Sequence, residues 1–382
     1  MTVLLIPDKF KGSLTATEVI SALSKGIERA DKKTKIHHLI ASDGGDGFLE
    51  AIQQTLEVEE VHCNTVDPLG REIIASYALS RSRGEAFIEL AKASGMELLK
   101  EDGRNPMITS TLGTGLQILD ALEKGVDTIY VGLGGSATND GGIGIAHALG
   151  YKFLDAAQNT LVPTGENLDK IYSIDATAAH KDLKHISIVA VNDVDNPLYG
   201  PNGAAYVYAK QKGAAFGHIE QLNGGLRHLD TLVQQQIGEN NAQVSGAGAA
   251  GGAAYGIKTF LGGSFVSGIN FMMHLTDIDA LLKKEQIDLI ITGEGKIDKQ
   301  TFSGKLIHGI LALGSSHSIP VVAICGTLGL EKEVCIKKGL HGVLEIKDPT
   351  KSLASNMENA AVLLEKSIFQ FMSSRGNQRE IK

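Results

Sequence analysis

Aromatic side chains are scarce: they make up 5% of the 382 residues, and tryptophan is absent. A base-stacking platform for single-stranded nucleic acid is therefore not expected. A basic excess is missing as well. Thirty-six Lys and Arg stand against 44 Asp and Glu, a net charge of −8 that argues against nucleic acid as a partner. A small anion is still allowed, because a few placed cations can serve one site. The three cysteines, Cys63, Cys325 and Cys335, lack CxxC or metal-ligand spacing, so reduced thiols in a cytoplasmic protein are expected. No apolar run approaches the roughly 20 residues of a membrane span, and Met1–Ile6 is too short for a signal sequence. No membrane association is predicted.

Glycine, by contrast, is in excess: 45 residues, against about 7% in an average chain. There is no repeat and there are only 8 prolines, so this is neither a collagen nor a flexible linker. The excess points to many tight turns, or to backbone lying close to a ligand.

A recurring unit places these glycines. Val3–Ile6 leads into Pro7-Asp8-Lys9-Phe10-Lys11-Gly12-Ser13, and Ile36–Ala41 into Ser42-Asp43-Gly44-Gly45-Asp46-Gly47. Thr128–Leu133 leads into a glycine-rich loop through Gly142, Ile186–Val191 into Asn192-Asp193-Val194-Asp195-Asn196-Pro197, and Asp288–Ile291 into a loop through Asp298. Short aliphatic runs without alternation read as strands buried on both faces. Thr15-Ala16-Thr17-Glu18 is a capping box, and Leu353 to Phe371 carries the apolar stripe of one long helix. Strands alternating with helices predict an α/β protein, whose ligands bind outside the carboxyl ends of the strands. Here those ends carry the glycines and the acids.

From Arg71 the texture changes: Arg71–Leu79 and Ala86–Leu90 read as a strand pair, and Ser245–Gly268 is dense in glycine and alanine. The plain rhythm returns near Ile287. We expect one discontinuous domain, 1–66 plus 283–382, holding an inserted domain of 67–282.

Gly134-Gly135-Ser136-Ala137-Thr138-Asn139-Asp140-Gly141-Gly142 is the strongest single motif. Its backbone N–H groups can converge on an anion, Ser136, Thr138 and Asn139 can add donors, and a helix starting near Asp140 would help hold phosphate. The alternative is a turn that serves close packing only. A relaxed dinucleotide fingerprint, Gly132-x-Gly134-x-x-Ala137 with Asp155 downstream, keeps an NAD(P)-dependent oxidoreductase open. An ordinary P-loop is excluded, since Ser303-Gly304-Lys305-Leu306 lacks the hydroxyl residue that binds magnesium. The stretch Ser245–Gly252 reads equally as close packing or as backbone closing over a ligand.

Taken in order, these residues resemble the class I glycerate kinases. The likeness rests on Pro7 to Leu14, Ser42 to Gly47, Gly113-Thr114-Gly115, Gly132 to Gly142, and Asp193-Val194-Asp195-Asn196-Pro197-Leu198. It continues through Gln211-Lys212-Gly213-Ala214, Ser245 to Gly252, Gly293 to Asp298, and Gly304-Lys305, so it spans nearly the whole chain. The resemblance implies phosphorylation of D-glycerate by ATP with Mg²⁺, in many members at the 2-hydroxyl. It also implies a flavodoxin-like parallel-sheet domain, a second inserted α/β domain, and an interdomain cleft. On that basis Gly134, Gly135, Ser136, Thr138, Asn139 and Asp140 are candidates to hold phosphates, and Lys11, Lys212 and Lys305 to neutralise charge. Ser13 and Asn196 join them as substrate-binding candidates, and Asp43 and Glu294 are candidate Mg²⁺ ligands. Asp193 is the candidate base, with Lys11 and Asp8 as further catalytic candidates. A 3-phosphoglycerate product and a non-catalytic sensor of small acids are the remaining alternatives, and the oligomeric state is left open.

Overall fold

A computed structural model of the protein describes residues 1–40, 44–45, 47–302 and 306–379. In chain order its strands are β1 (Thr2–Pro7), β2 (Lys35–His38), β3 (Glu59–Val66), β4 (Glu72–Ser80), β5 (Glu85–Glu89), β6 (Thr128–Gly132) and β7 (Lys152–Leu154). There follow β8 (Ser173–Asp175), β9 (Ser187–Val191), β10 (Ser264–Val266), β11 (Leu289–Ile297), β12 (Val321–Leu328) and β13 (Gly342–Glu345). The chain forms two compact units, Met1–Ser42 with Gly268–Lys382, and Asp43–Ser267.

The first unit is built on a parallel sheet in the order β2-β1-β11-β12-β13. Numbered within the unit this is 2-1-3-4-5, the flavodoxin-like order. The unbroken apolar run of β1 follows from burial on both faces. Val3 and Leu5 pack with Val19, Leu23 and Ile27 of helix Ala16–Ala30 and with Leu364 and Ile368. Leu4 and Ile6 turn the other way, towards Ile307 and Ile310 of helix Leu306–Ser316. The capping box at Thr15 forms as expected, with Glu18 N–H on Thr15 Oγ1 at 3.2 Å and Thr15 N–H on the Glu18 carboxylate at 2.8 Å.

Two local expectations change. The C-terminal stripe is two helices, Leu353–Glu358 and Ala360–Arg379, because Asn359 leaves the helical conformation and bonds back to Ser355 O through its side chain. The glycine-rich segment after Ile291 is strand rather than loop. β11 runs on through Gly293, Glu294 and Gly295, held by pairing to β12 as far as Ile297 opposite Leu328.

The second unit carries a mixed sheet in the order β10-β9-β6-β5-β4-β3, with β5, β6, β9 and β10 mutually parallel and β3–β4–β5 antiparallel. A separate hairpin joins β7 and β8. One core gathers Ile88, Ile129 and Val131 from the sheet with Ile118, Ile145, Leu226 and Tyr255 from helices. The expected domain cuts fall badly. A boundary at 66/67 would part β3 from β4, which pair along their whole length from Glu59 opposite Leu79 to Val66 opposite Glu72. A boundary at 282/283 would cut helix Ile278–Lys284. Among the described residues no helix is long and apolar enough to cross a membrane, and the three cysteines are buried free thiols.

Candidate active site

In the second unit, three of the loops singled out from sequence meet. The first residue after β6, Leu133, donates its N–H to Val191 O at the end of β9 (3.2 Å), and Gly134 donates to Gly44 O (2.9 Å). The approach is so close that a Cβ at Gly134 would collide with the α-carbon of Gly45, so only glycine fits. The loops rooted at Gly44, Gly134 and Val191 therefore share one corner, and Asp193 stands half-buried two residues beyond it. Asp43 and Lys305 lie outside the described residues.

The glycine-rich loop turns its side chains inward. Ser136 is 5% exposed, and Thr138, Asn139 and Asp140 are fully buried, so what the loop shows outward is the half-buried backbone of Gly134 and Gly135. Beneath it lies Lys212, only 3% exposed, whose Nζ donates to Ser136 Oγ and to Thr138 O, both at 2.7 Å. Burial lowers the Lys212 pKa to about 7, against the pull of the Asp140 carboxylate, which favours its charge. Among the described residues two acceptors serve its three donors. Thr138 Oγ1 and both amide atoms of Asn139 are buried without hydrogen-bond partners there. Each such atom costs about 1–3 kcal/mol unless a ligand or an ordered water satisfies it. The loop thus carries buried polar atoms that a ligand or an ordered water would satisfy.

Asp140 has a different task from the expected one. Its carboxylate accepts from Thr111 N (2.7 Å) and Oγ1 (2.8 Å), Gly142 N (3.0 Å) and Gly144 N (3.3 Å). Burial pushes its carboxyl up, and these hydrogen bonds hold it down. The helix expected to begin near Asp140 begins at Ile143, and Asp140 already takes its first amides. A phosphate cannot use that helix end. The dinucleotide fingerprint fails for a related reason, since its helix should open at the glycines. Asp155 only closes its own turn, accepting from Ala157 N at 2.9 Å and Asn159 N at 2.8 Å.

The segment Ser245–Gly252 packs on both neighbouring loops. Gly248 donates to Asn196 O at 2.8 Å, Gly141 donates to Gly251 O at 3.0 Å, and a Cβ at Gly251 would strike Thr138 O. Close packing is its observed role. Asn196 belongs to this scaffold, with its amide donating to Asn202 O (2.7 Å) and accepting from Tyr208 OH (2.6 Å). Sequence reasoning missed Thr111 and the buried Glu89, which accepts Leu49 N–H at 3.0 Å at the start of helix Phe48–Thr55. The signal for Thr111 was its place just before a helical pattern, where a cap is expected.

The first unit gathers a second group where the carboxyl end of β1 meets the middle of β11. These strands form the switch point of a 2-1-3-4-5 sheet, where ligands of such folds bind. Asp8 N–H donates to Gly293 O at 2.8 Å, and its carboxylate accepts Lys9 N–H at 2.7 Å. Phe10 and Leu14 pair to close a turn that leaves Lys11 exposed, with its backbone N lying over Gly295 next to Glu294. The backbone at Asp8 and Lys11 thus lies beside the Gly293–Gly295 stretch that carries Glu294. Ser13 is tied instead to the C-terminal region, its hydroxyl donating to Met357 O at 2.6 Å.

Comparison with known proteins gives the family. The model of the glycerate kinase family matches residues 3–374. The chain is 36% identical to a glycerate kinase of Halalkalibacterium halodurans, over 95% of each chain. It is also 36% identical to the glycerate 2-kinase of Escherichia coli K12, over 91% of this chain and 90% of that one. A crystal structure assigned to glycerate kinase 2 of Salmonella typhimurium LT2 superposes with a TM-score of 0.84 at 34% identity, covering 100% of this chain and 99% of the other. The protein with the glycine loop on a buried lysine is therefore an enzyme, and it belongs to the glycerate kinase family.

Proposed function

We propose that the chain transfers the γ-phosphate of ATP to the 2-hydroxyl of D-glycerate, giving 2-phosphoglycerate. The 2-position is supported by the name of the Escherichia coli relative. The observation that carries the phosphate role is Lys212, a buried cation beneath a glycine loop with a donor to spare. The half-buried backbone of Gly134 and Gly135 is the outward side of the loop and the part that would meet phosphate oxygens, while the ammonium beneath draws the negative charge. Catalysis of phosphoryl transfer consists mostly of such positioning and charge stabilisation.

Asp193 stands at the corner where the loops meet and accepts the proton of the attacking hydroxyl. Lys11, exposed and mobile on its stem, attracts the glycerate carboxylate, and Asp8 orients the turn that carries it. Among the described residues no three His, Cys, Asp or Glu side chains are grouped to hold a metal ion. Magnesium in this chemistry asks for only one or two carboxylates besides the phosphates, which Glu294 and Asp43 match in kind. When bound, it neutralises charge on the β- and γ-phosphates. The reading includes a cytoplasmic location, where ATP is available and buried thiols stay reduced.

The test is a product assay with D-glycerate, ATP and Mg²⁺, coupled through enolase with no mutase present. Formation of phosphoenolpyruvate is the expected result. ADP release without it would assign the 3-phosphate, and no ADP would overturn the kinase reading.

A further inference from the structure

We propose that Thr111 is a positioning residue for phosphoryl transfer, acting through Asp140 to hold the glycine-rich loop in register. The inference rests on the phosphate role of that loop. Thr111 is fully buried and is the N-cap residue of helix Leu112–Glu123, yet its hydroxyl does not cap that helix. It donates to Asp140 Oδ2 at 2.8 Å and accepts Ile145 N–H from the neighbouring helix Ile143–Ala148 at 3.1 Å. Its own N–H reaches the same Asp140 oxygen at 2.7 Å.

One carboxylate thereby fastens the starts of two helices, since Gly142 and Gly144 of the second also donate to it. Positive helix ends favour a carboxylate there. Asp140 is the residue after Asn139, so whatever fixes Asp140 fixes the loop through Ser136 and Thr138, on which the Lys212 ammonium is seated. Losing the Thr111 hydroxyl leaves one Asp140 oxygen short of a donor and leaves Ile145 N–H without an acceptor. The loop can then shift relative to Lys212. Displacements near 1 Å can cost a catalytic site about a hundredfold.

Steady-state kinetics of Thr111→Val and Thr111→Ser, with ATP and glycerate varied in turn and active protein counted by folded fraction, tests this. Thr111→Val keeps the shape and loses the hydroxyl, so kcat/KM for ATP should fall about tenfold or more. KM for glycerate should stay within about twofold, and Thr111→Ser should recover most of the loss. A lower melting temperature with both substrates' parameters intact would reduce Thr111 to a structural residue and overturn the proposal. A loss confined to glycerate would keep Thr111 as a positioning residue and overturn the phosphate role of the loop. Should Thr111→Val not fold, Thr111→Cys takes its place. Its weaker donor should give an intermediate loss for ATP, and an ATP kcat/KM equal to that of wild type would overturn the proposal.

Discussion

The two groups of candidate residues are built on opposite principles. In the second unit Ser136, Thr138, Asp140 and Lys212 are buried and tied to one another or to helix starts by short hydrogen bonds. In the first unit Lys11 is exposed on a turn, Asp8 is half-buried just past β1, and Glu294 is half-buried within β11. Burial makes the first kind stiff and gives its charges a low-dielectric setting, where a single cation acts strongly. Exposure leaves the second kind adjustable and screened by salt. Under the proposed function the contrast becomes a division of labour, with a fixed seat for phosphate and adaptable groups for a small acid.

The sharpest break of this contrast is Lys212→Met. We expect kcat/KM for ATP to fall by about 10²–10³, the scale seen when a preorganised donor is removed. Melting near pH 7 should be lower, because the variant leaves Ser136 Oγ and Thr138 O without their donor and the buried Asp140 carboxylate without its cation. Activity and stability measured on the same preparation check both halves. Asp193→Asn comes next, with kcat lowered about 10²-fold and glycerate binding nearly kept if it is the base.

The pH profile sharpens the same point. With its pKa lowered to about 7, Lys212 is partly uncharged just above neutrality, so kcat/KM for ATP should decline as pH rises through that value. A bound phosphate favours the charged lysine, so kcat should decline only at higher pH. For stability the sign is reversed. Between about 7 and the unfolded value near 10.4 the unfolded chain binds more protons, so wild type should gain on Lys212→Met as pH rises. Paired melting curves across that range read the effect.

Smaller effects belong to the exposed group. Lys11→Ala should raise KM for glycerate by about tenfold or less, and added salt should narrow its gap from wild type. Ser13→Ala should cost about 1 kcal/mol of stability through the lost bond to Met357 O, with turnover nearly intact.

The strands were readable because aliphatic runs such as Val3–Ile6 have no other use than burial on both faces. The family motifs located the loops for the same kind of reason, since glycines at Gly134 and Gly251 are demanded by backbone contacts. Contacts between residues remote in sequence were not readable. Nothing near Asp140 announces that Thr111, 29 positions away, donates to it twice, or that Asn196 serves Tyr208 and Asn202. Domain limits failed likewise, because the β3–β4 pairing is a tertiary choice that local pattern does not record.

The most direct measurement is calorimetric titration of ATP, without glycerate, into wild type and folded Lys212→Met. A buried ammonium under the phosphate seat predicts a Kd raised about a hundredfold in the variant, with Lys11→Ala within tenfold of wild type. Equal ATP affinity in wild type and Lys212→Met would contradict the account.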